Sequence, residues 1–305
     1  MKKFNICKAT KLFILLTSLI IFLIFINEII EQENRNNITY KLKFLNICLN
    51  NQTFSSEIAV WTLLTDGADY YGLGAIKLLK SMKKNVKTTK FDAFVLELVN
   101  KPIRPKRMRD KLLRVGWRIC QVNRIAPRDE KGTFGRFRDQ FTKLLLWNIT
   151  EFKANYYFDS DTFVLRNIDN FFTIHNQLDS NQQKIGCTRD WSPKFNEWSN
   201  GFNMGVFVLV PDQIEFNRLI KLKNDFNFTF ETSQAEQGFL NVVYENLWLE
   251  IGFENNANLA VYTASRDYWN EREKNINVIH YTMNKAWACT DEYKAPCDFW
   301  RDFDL

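Results

Sequence analysis

Residues 155–161 read Asn-Tyr-Tyr-Phe-Asp-Ser-Asp, an apolar run that ends in two acidic residues one position apart. The run predicts a short buried strand, which delivers Asp159 and Asp161 into the turn at its end. Two carboxylates in one turn supply the hard oxygen ligands of a divalent cation, and such a cation can bridge two phosphates. Because two acids in a turn are usually just solvated, this stretch needs support from the rest of the sequence.

Strands and helices alternate along the chain on both sides of this stretch. Besides residues 156–158, the predicted strands cover residues 58–65, 91–99 and 117–122, and the predicted helices cover residues 71–84, 104–115 and 140–152. This alternation is typical of an α/β fold with a mainly parallel sheet, whose ligands bind at the carboxyl ends of the strands. No internal repeat and no long Gly-, Ser- or Pro-rich linker follows residue 56, so we expect one domain over residues 57–305.

The net charge of +6 raises the question of a polyanionic partner such as nucleic acid. Four of the positive charges stand near the start of the chain, at Lys2, Lys3, Lys8 and Lys11. Removing these four from +6 leaves +2 for residues 28–305, too little for a surface that follows a phosphate backbone. We therefore expect no nucleic-acid partner. The basic stretch at residues 101–118 overlaps a predicted helix, which favours a solvated helix face.

A long apolar run follows these lysines. Residues 12–26 read LFILLTSLIIFLIFI, and Ile29 and Ile30 extend the apolar character toward the length of a membrane span. Lysines before the run and acidic residues after it predict a cytosolic N-terminus and a lumenal remainder. Because the run does not end in small residues, we predict an uncleaved signal anchor; a cleaved signal peptide and a buried core helix are the alternatives. The predicted segments are a cytosolic tail (1–11), a transmembrane helix (12–30) and a lumenal stem (31–56).

Two further features agree with a lumenal body. Four Asn-X-Thr sequons for N-glycosylation begin at Asn37, Asn51, Asn148 and Asn227. Five cysteines follow the predicted span, without the paired spacing of a zinc site. In an oxidising lumen, Cys289 and Cys297 are close enough in sequence to form a small disulfide loop; two separate buried thiols are the alternative.

The chain near its C-terminus contains other residues that suit a metal and a phosphate group. His280 follows the apolar pair Val278-Ile279, and an imidazole there can complete the coordination of an Mn²⁺-like ion. Lys285, five residues later, is able to neutralise a leaving diphosphate. A structural histidine with satisfied hydrogen bonds is the alternative for His280. We assign His175, the other histidine of the chain, to that structural role.

The acidic turn belongs to one of six recognisable blocks of sequence, and the other five support it. In chain order they read AVWTLLTDGADYYG (59–72), FTKLLLW (141–147), YFDSDTFVLRNID (157–169), FNMGVF (202–207), EQGFLN (236–241) and HYTMNKAW (280–287). This ordered set resembles glycosyltransferase family 8, the glycogenin-like group of retaining transferases. The resemblance implies a GT-A fold, which is a Rossmann-like nucleotide-diphospho-sugar transferase fold with a mainly parallel mixed sheet.

The resemblance also implies a role for each residue at a matching position. The metal ligands would be Asp159, Asp161 and His280, and the metal would be Mn²⁺ or, in its place, Mg²⁺. The residues around the donor sugar would be Lys143, Asp190, Asn203, Glu236 and Gln237. The residues that bind the rest of the UDP-sugar would be Leu63, Thr65, Asp66 and Tyr70 near the nucleotide, and Lys285 at the diphosphate. Glu236 replaces the usual Asp, which points to a different donor sugar, and Ala286 replaces the usual Pro of the closing loop.

The resemblance and the predicted anchor together imply a function. We expect an Mn²⁺-dependent, retaining glycosyltransferase of the hexosyltransferase type, which moves a sugar from a UDP-sugar to a glycan or glycoprotein. Its predicted location is the Golgi membrane, or the ER, as a single-pass type II protein with a lumenal catalytic domain. Residues 245–277 match no motif, and we expect them to determine the acceptor. Two alternatives remain: a cytosolic, glycogenin-like primer that glucosylates itself, and a lumenal scaffold that binds UDP-sugar or glycan without turnover.

Overall fold

The computed structural model describes residues 53–65, 69–178, 182–192 and 194–304. They all belong to one compact unit, Leu45–Leu305. Outside the described ranges lie the predicted cytosolic tail (1–11), the predicted transmembrane helix (12–30), most of the predicted stem (31–56) and the sequons at Asn37 and Asn51. Among the described residues, no helix combines the length and the apolar character that a bilayer span needs.

Within these ranges, ten strands form two sheets. The strands are β1 (Ile58–Leu64), β2 (Asp92–Leu98), β3 (Arg118–Val122), β4 (Ala154–Phe158), β5 (Thr162–Val164), β6 (Ile185–Ser192), β7 (Glu197–Leu209), β8 (Trp248–Glu250), β9 (Ala257–Asn258) and β10 (Val278–His280). The larger sheet has the order β3-β2-β1-β4-β7-β6-β8. Strands β3, β2, β1 and β4 are parallel, β6 and β8 are parallel, and β7 is antiparallel to both of its neighbours. The predicted α/β fold with a mainly parallel mixed sheet is therefore confirmed.

Helices connect most of these strands. The helices of the described residues are α1 (Asp69–Asn85), α2 (Lys106–Val115), α3 (Leu145–Asn148), α4 (Gln213–Asn224), α5 (Ala235–Val243), α6 (Leu259–Ala264), α7 (Arg266–Arg272) and α8 (Lys294–Arg301). Helices α1 and α2 confirm the helices predicted over residues 71–84 and 104–115. In α2 only Met108 and Leu112 are buried, so the basic stretch at residues 101–118 includes a solvated helix face, as expected.

The helix predicted over residues 140–152 is shorter than expected. Residues Gln140–Leu144 form a 3-10 helix, and α3 continues it for about one turn. The side-chain amide of Asn155, on β4, donates to the carbonyl oxygens of Leu146 at 2.8 Å and Ile149 at 3.0 Å. These bonds satisfy carbonyls at the end of the helix, where the chain turns into β4.

The smaller sheet places the C-terminal histidine beside the acidic turn. Strand β10 is antiparallel to β5, with His280 opposite Thr162, and parallel to β9, with His280 opposite Asn258. Because β5 begins directly after Asp161, this pairing brings His280 to the acidic turn, although the two are far apart in sequence.

Two clusters of buried apolar side chains support this arrangement. One lies around α1 and the larger sheet, and it includes Leu79, Tyr156 and Val206. The other lies around β9, β10 and the C-terminal helices, and it includes Trp269 and Tyr281. Asp159 directly follows β4 of the larger sheet, and His280 is the last residue of β10 in the smaller sheet.

One cysteine pair and one buried histidine contribute to the fold away from the acidic turn. Cys289 and Cys297 form a disulfide, with Cα atoms 6.4 Å apart, which decides between the two alternatives that the sequence left open. The disulfide joins the loop after Lys285 to α8. His175 is buried, and its Nδ1 atom is 2.8 Å from the hydroxyl oxygen of Tyr156, as expected for a structural histidine.

Candidate active site

The acidic turn after β4 is held in place from three directions. The backbone N–H of Asp159 donates to the carbonyl oxygen of Gly205, on β7, at 2.7 Å. The backbone N–H and the hydroxyl of Thr162 both donate to the carbonyl oxygen of Asp159, at 3.0 and 2.7 Å. Helix α1 packs against the same turn, since a Cβ atom on Gly74 would lie 2.3 Å from the carbonyl oxygen of Ser160. These contacts fix the backbone that carries the two carboxylates.

Asp159, Asp161 and His280 form one cluster, in which one ligand atom of each residue lies within 4.8 Å of the others. The Nε2 atom of His280 is 3.4 Å from Oδ1 of Asp161 and 3.7 Å from Oδ2 of Asp159. The other oxygen of each carboxylate contacts a lysine: Oδ1 of Asp159 lies 3.2 Å from Lys143, and Oδ2 of Asp161 contacts Lys285. One oxygen of each aspartate and one imidazole nitrogen are thus left near each other, a donor set that suits Mn²⁺ or Mg²⁺.

Lys285 and Asp161 form an ion pair at this cluster. Burial alone would raise the pKa of Asp161, but the charge of Lys285 opposes burial and holds that pKa below its usual range. Burial alone would lower the pKa of Lys285, but the charge of Asp161 raises that pKa above its usual value. The ammonium of Lys285 also donates to the carbonyl oxygens of Tyr281 at 3.0 Å and Thr282 at 3.3 Å. A positive charge is therefore fixed beside the cluster at neutral pH.

Lys143 lies between Asp159, of the metal-ligand cluster, and Glu236. Its ammonium lies 3.2 Å from Oδ1 of Asp159, 3.0 Å from Oε1 of Glu236 and 3.1 Å from the carbonyl oxygen of Met204, and 4.7 Å from the ring centre of Tyr157. Burial alone would lower the pKa of Lys143, but the charges of Asp159 and Glu236 raise it. Burial raises the pKa of Glu236, although Lys143 acts in the opposite direction.

Asp190 is surrounded by amide donors. It accepts hydrogen bonds from Nδ2 of Asn203 at 3.1 Å, Nε2 of Gln237 at 2.8 Å and Nδ2 of Asn258 at 3.4 Å. Burial raises the pKa of Asp190, although the hydrogen bonds from Asn203 and Gln237 lower it in part. The backbone N–H of Met204 donates to Oε1 of Gln237 at 3.1 Å, so both ends of the Gln237 amide are bound to protein atoms. This polar wall has the kind of carboxylate and amide groups that bind sugar hydroxyls.

The metal-ligand cluster, Lys143, Lys285 and the polar wall around Asp190 line one cavity of about 420 Å³. Its size is in the range of sites for small molecules and cofactors. Of the residues that the sequence assigns to donor and metal binding, the cavity lining includes Leu63, Thr65, Lys143, Asp159, Asp161, Asp190, Asn203, Glu236, Gln237, His280 and Lys285. Asp66 lies outside the described residues.

The predicted nucleotide contact Tyr70 has a different position. Its side chain is 60% exposed and lies nearly parallel to Trp287, with ring centres 6.4 Å apart. The neighbouring residue, Tyr71, is the one that lines the cavity. The sequence pattern did not distinguish the two tyrosines, because they are adjacent at the start of α1 and only the packing of that helix decides which one faces inward.

Other residues of the site were missed by the sequence analysis. Asn258 lines the cavity, and the buried Asn256 bonds to both His280 and Asn203. Both belong to residues 245–277, which we expected to determine the acceptor. The sequence carried no clear signal for them, because asparagine is frequent throughout the chain and is a common residue of turns and helix caps. Asn258 itself caps α6, since its Oδ1 accepts from the backbone N–H of Ala260 at 2.8 Å.

Comparison with known proteins identifies the family of the chain. The family model described as Glycosyl transferase family 8 matches residues 63–291. The chain belongs to glycosyltransferase family 8. It is therefore a glycosyltransferase.

Curated relatives of this family-8 chain include enzymes with several different names. Galactinol synthase 4 of Arabidopsis thaliana is 25% identical over 257 residues, which cover 76% of this chain and 74% of the relative. Glycogenin-1 of Caenorhabditis elegans is 28% identical over 237 residues, which cover 74% of this chain and 50% of the relative. The UDP-glucuronate:xylan alpha-glucuronosyltransferase 1 of Arabidopsis thaliana is 24% identical over 255 residues, covering 78% of this chain and 33% of the relative.

Solved structures show the same fold at low sequence identity. The galactosyltransferase LgtC, crystallised with donor and acceptor sugar analogues, superposes with a TM-score of 0.54 and 16% identity. The match covers 80% of this chain and 94% of LgtC. Mouse xyloside xylosyltransferase 1 superposes with a TM-score of 0.51 and 12% identity, covering 75% of this chain and 98% of that enzyme. These similarities establish the GT-A-like fold of this family-8 chain.

Proposed function

We propose that this chain is a metal-dependent enzyme that transfers a sugar from a UDP-sugar to a glycan or glycoprotein acceptor. The observation that carries the proposal is the arrangement of Asp159, Asp161 and His280. Each aspartate binds a lysine through one oxygen and leaves the other oxygen near His280. The donor set lies in the same cavity as the amide and carboxylate groups that suit a sugar.

The ligand types support Mn²⁺ as the metal, with Mg²⁺ as the alternative. Imidazole is a better ligand for Mn²⁺ than for Mg²⁺, and both ions take carboxylate oxygens. When bound, the divalent cation supplies positive charge that stabilises the departing diphosphate. Lys285 adds a second positive charge beside the metal-ligand cluster. The carbonyl oxygens of Tyr281 and Thr282 accept hydrogen bonds from its ammonium and hold it there.

The remaining residues would orient the donor sugar for attack by the acceptor hydroxyl. We infer that Glu236 and Gln237 position the sugar, since Glu236 pairs with Lys143 and Gln237 bonds to Asp190. Retention of configuration allows two routes, attack on the face from which UDP leaves or a transient glycosyl intermediate on a protein group. Isolation of a glycosyl adduct on Glu236 would overturn the positioning role.

A panel of UDP-sugars tests the proposal. The panel should include UDP-galactose and UDP-glucuronate, because curated relatives are named for galactinol synthesis and for glucuronate transfer. We expect the purified protein to release UDP from one donor with Mn²⁺, and to lose this activity with a chelator or in an Asp161→Asn variant. Glu245→Gln, an exposed substitution outside the cavity, is the matched control. Binding of UDP and Mn²⁺ without any turnover would support the scaffold alternative instead.

We also propose a lumenal location, in the Golgi or the ER, for a type II protein with a single N-terminal anchor. The disulfide between Cys289 and Cys297 supports an oxidising compartment. Microscopy and fractionation of the full chain test the location. A cytosolic protein that incorporates sugar onto itself would support the glycogenin-like alternative.

A further inference from the structure

Asn256 lies between the metal-ligand cluster and the polar wall around Asp190. It is 1% exposed. Its Oδ1 atom is 3.0 Å from Nδ1 of His280, and its Nδ2 atom is 3.0 Å from Oδ1 of Asn203. An amide has one accepting end and one donating end, so the direction in which this amide points decides which nitrogen of His280 carries the proton.

The backbone of Gly205 fixes the direction of this amide. A backbone N–H can only donate, so the Asn203 atom 2.9 Å from the Gly205 nitrogen must be the oxygen. The other end of Asn203 then donates to the carboxylate of Asp190 at 3.1 Å, which is consistent. Because the Asn203 oxygen accepts, the Asn256 group that faces it must be the NH₂ group.

The oxygen of Asn256 therefore faces His280. An amide oxygen can only accept, so Nδ1 of His280 must carry a proton. In the neutral ring, Nε2 then has a free lone pair, directed toward the side where Asp159 and Asp161 lie. With the opposite tautomer, His280 would present an N–H group to the cation and could not act as its ligand.

We propose that Asn256 is a positioning residue that holds His280 in the tautomer able to bind a metal, through hydrogen bonds that begin at the N–H of Gly205. The proposal deepens the proposed function, because it rests on the same metal site. Gly205 also makes room for the ring: a Cβ atom there would lie 2.0 Å from Cε1 and 2.4 Å from Nδ1 of His280. One glycine thus sets both the position and the protonation of the histidine.

The first test measures the proton directly in the wild-type protein. The chain has only two histidines, so ¹⁵N-histidine labelling gives two rings, and a His280→Gln variant identifies the signals of His280. We expect Nδ1 of His280 to carry a proton in the metal-free protein and in the protein with diamagnetic Mg²⁺. A His280 ring with the proton on Nε2 and none on Nδ1 would overturn the proposal.

The second test measures Mn²⁺ affinity by calorimetry, with no sugar donor present. Loss of an outer-shell hydrogen bond to a ligating histidine typically weakens metal binding about 10–100-fold, and we expect this loss for Asn256→Ala. Asn256→Asp keeps an acceptor for Nδ1–H but loses the donor to Asn203, so it should retain Mn²⁺ binding. Asn255→Ala is the matched control, because Asn255 bonds to Ile251 and Asn277 instead of the site.

Wild-type Mn²⁺ affinity in Asn256→Ala, or equal weakening in Asn256→Asp and Asn256→Ala, would also overturn the proposal. If Asn256→Ala does not fold, the labelling experiment on the wild-type protein decides alone. Neither readout involves sugar transfer. A protein that shows the expected tautomer and affinities but transfers no sugar would contradict the proposed function and leave this inference standing.

Discussion

Removal of the Lys143 ammonium by a Lys143→Met substitution should strongly destabilise the protein. Lys143 and Glu236 have side chains that are only 3% and 5% exposed, and their charged atoms are 3.0 Å apart. Methionine keeps most of the length and apolar stem of lysine but leaves the Glu236 carboxylate buried without its cation. Breaking a buried ion pair in this way costs about 3–5 kcal/mol in the free energy of unfolding.

Most of this loss in the free energy of unfolding comes from the Glu236 carboxylate. Asp159, the other partner of Lys143, is 27% exposed at its side chain and keeps contact with water, so its loss is smaller. For a protein of this size each kcal/mol lowers the melting temperature by about 2–4 °C, which predicts a decrease of roughly 10 °C. The double variant Lys143→Met/Glu236→Gln has no buried charge at this position, and it should recover about 2 kcal/mol relative to Lys143→Met.

The stability loss of Lys143→Met should depend on pH, and the pKa of Glu236 determines the direction of this dependence. Burial raises the pKa of Glu236 in the folded protein, and loss of Lys143 removes the charge that opposes this increase. A carboxyl group with a raised pKa in the folded state contributes stability below its unfolded pKa, and that stability is lost as pH rises through the folded pKa. The deficit of Lys143→Met should therefore be smallest near pH 4.5, the usual glutamate value, and grow toward neutral pH.

Urea denaturation at several pH values, followed by tryptophan fluorescence, measures these differences. Lys106→Met, on the exposed face of α2, is the matched control and should change the free energy of unfolding by less than about 0.5 kcal/mol. A cost below about 1 kcal/mol for Lys143→Met, with no recovery in the double variant, would refute the idea that this buried pair stabilises the fold.

Two further predictions concern other parts of the chain. Ala235, at the start of α5, has φ of 51° and ψ of −129°, a region that costs a non-glycine residue about 1–3 kcal/mol. Ala235→Gly should therefore leave the stability nearly unchanged. Ala75→Gly, at a buried position inside α1, should cost about 2 kcal/mol in the free energy of unfolding. Equal losses of stability in the two variants would contradict backbone strain at Ala235. The second prediction concerns N-glycosylation in a secretory host, where Asn227 is exposed and Asn148 is 1% exposed. Asn227→Gln should therefore remove a glycosidase-sensitive mass shift, whereas Asn148→Gln should not. A glycan on Asn148 would contradict the fold.

Local patterns predicted a large part of this protein. The alternation of apolar runs and helical spacing gave the α/β fold, and β1, β2, β3 and β4 lie close to the predicted residues. The acidic turn, His280 and Lys285 were found because metal and phosphate chemistry restricts which side chains can serve. Where the pattern depended on tertiary contacts it was less accurate: the predicted helix over residues 140–152 is shortened where Asn155 binds its terminal carbonyls.

The sequence by itself determined which side chains are available for metal and sugar binding, and in which order they follow the strands. Only the tertiary structure decided how they meet. Pairing of β10 with β5 and β9 brings His280 beside Asp161, and the neighbouring β7 supplies the Gly205 N–H that orients Asn203 and Asn256. No local signal marks Asn256, because its role depends on hydrogen-bond partners 53 and 24 residues away. Periodicity reports what one segment does alone, whereas the direction of a buried amide is set by every group around it.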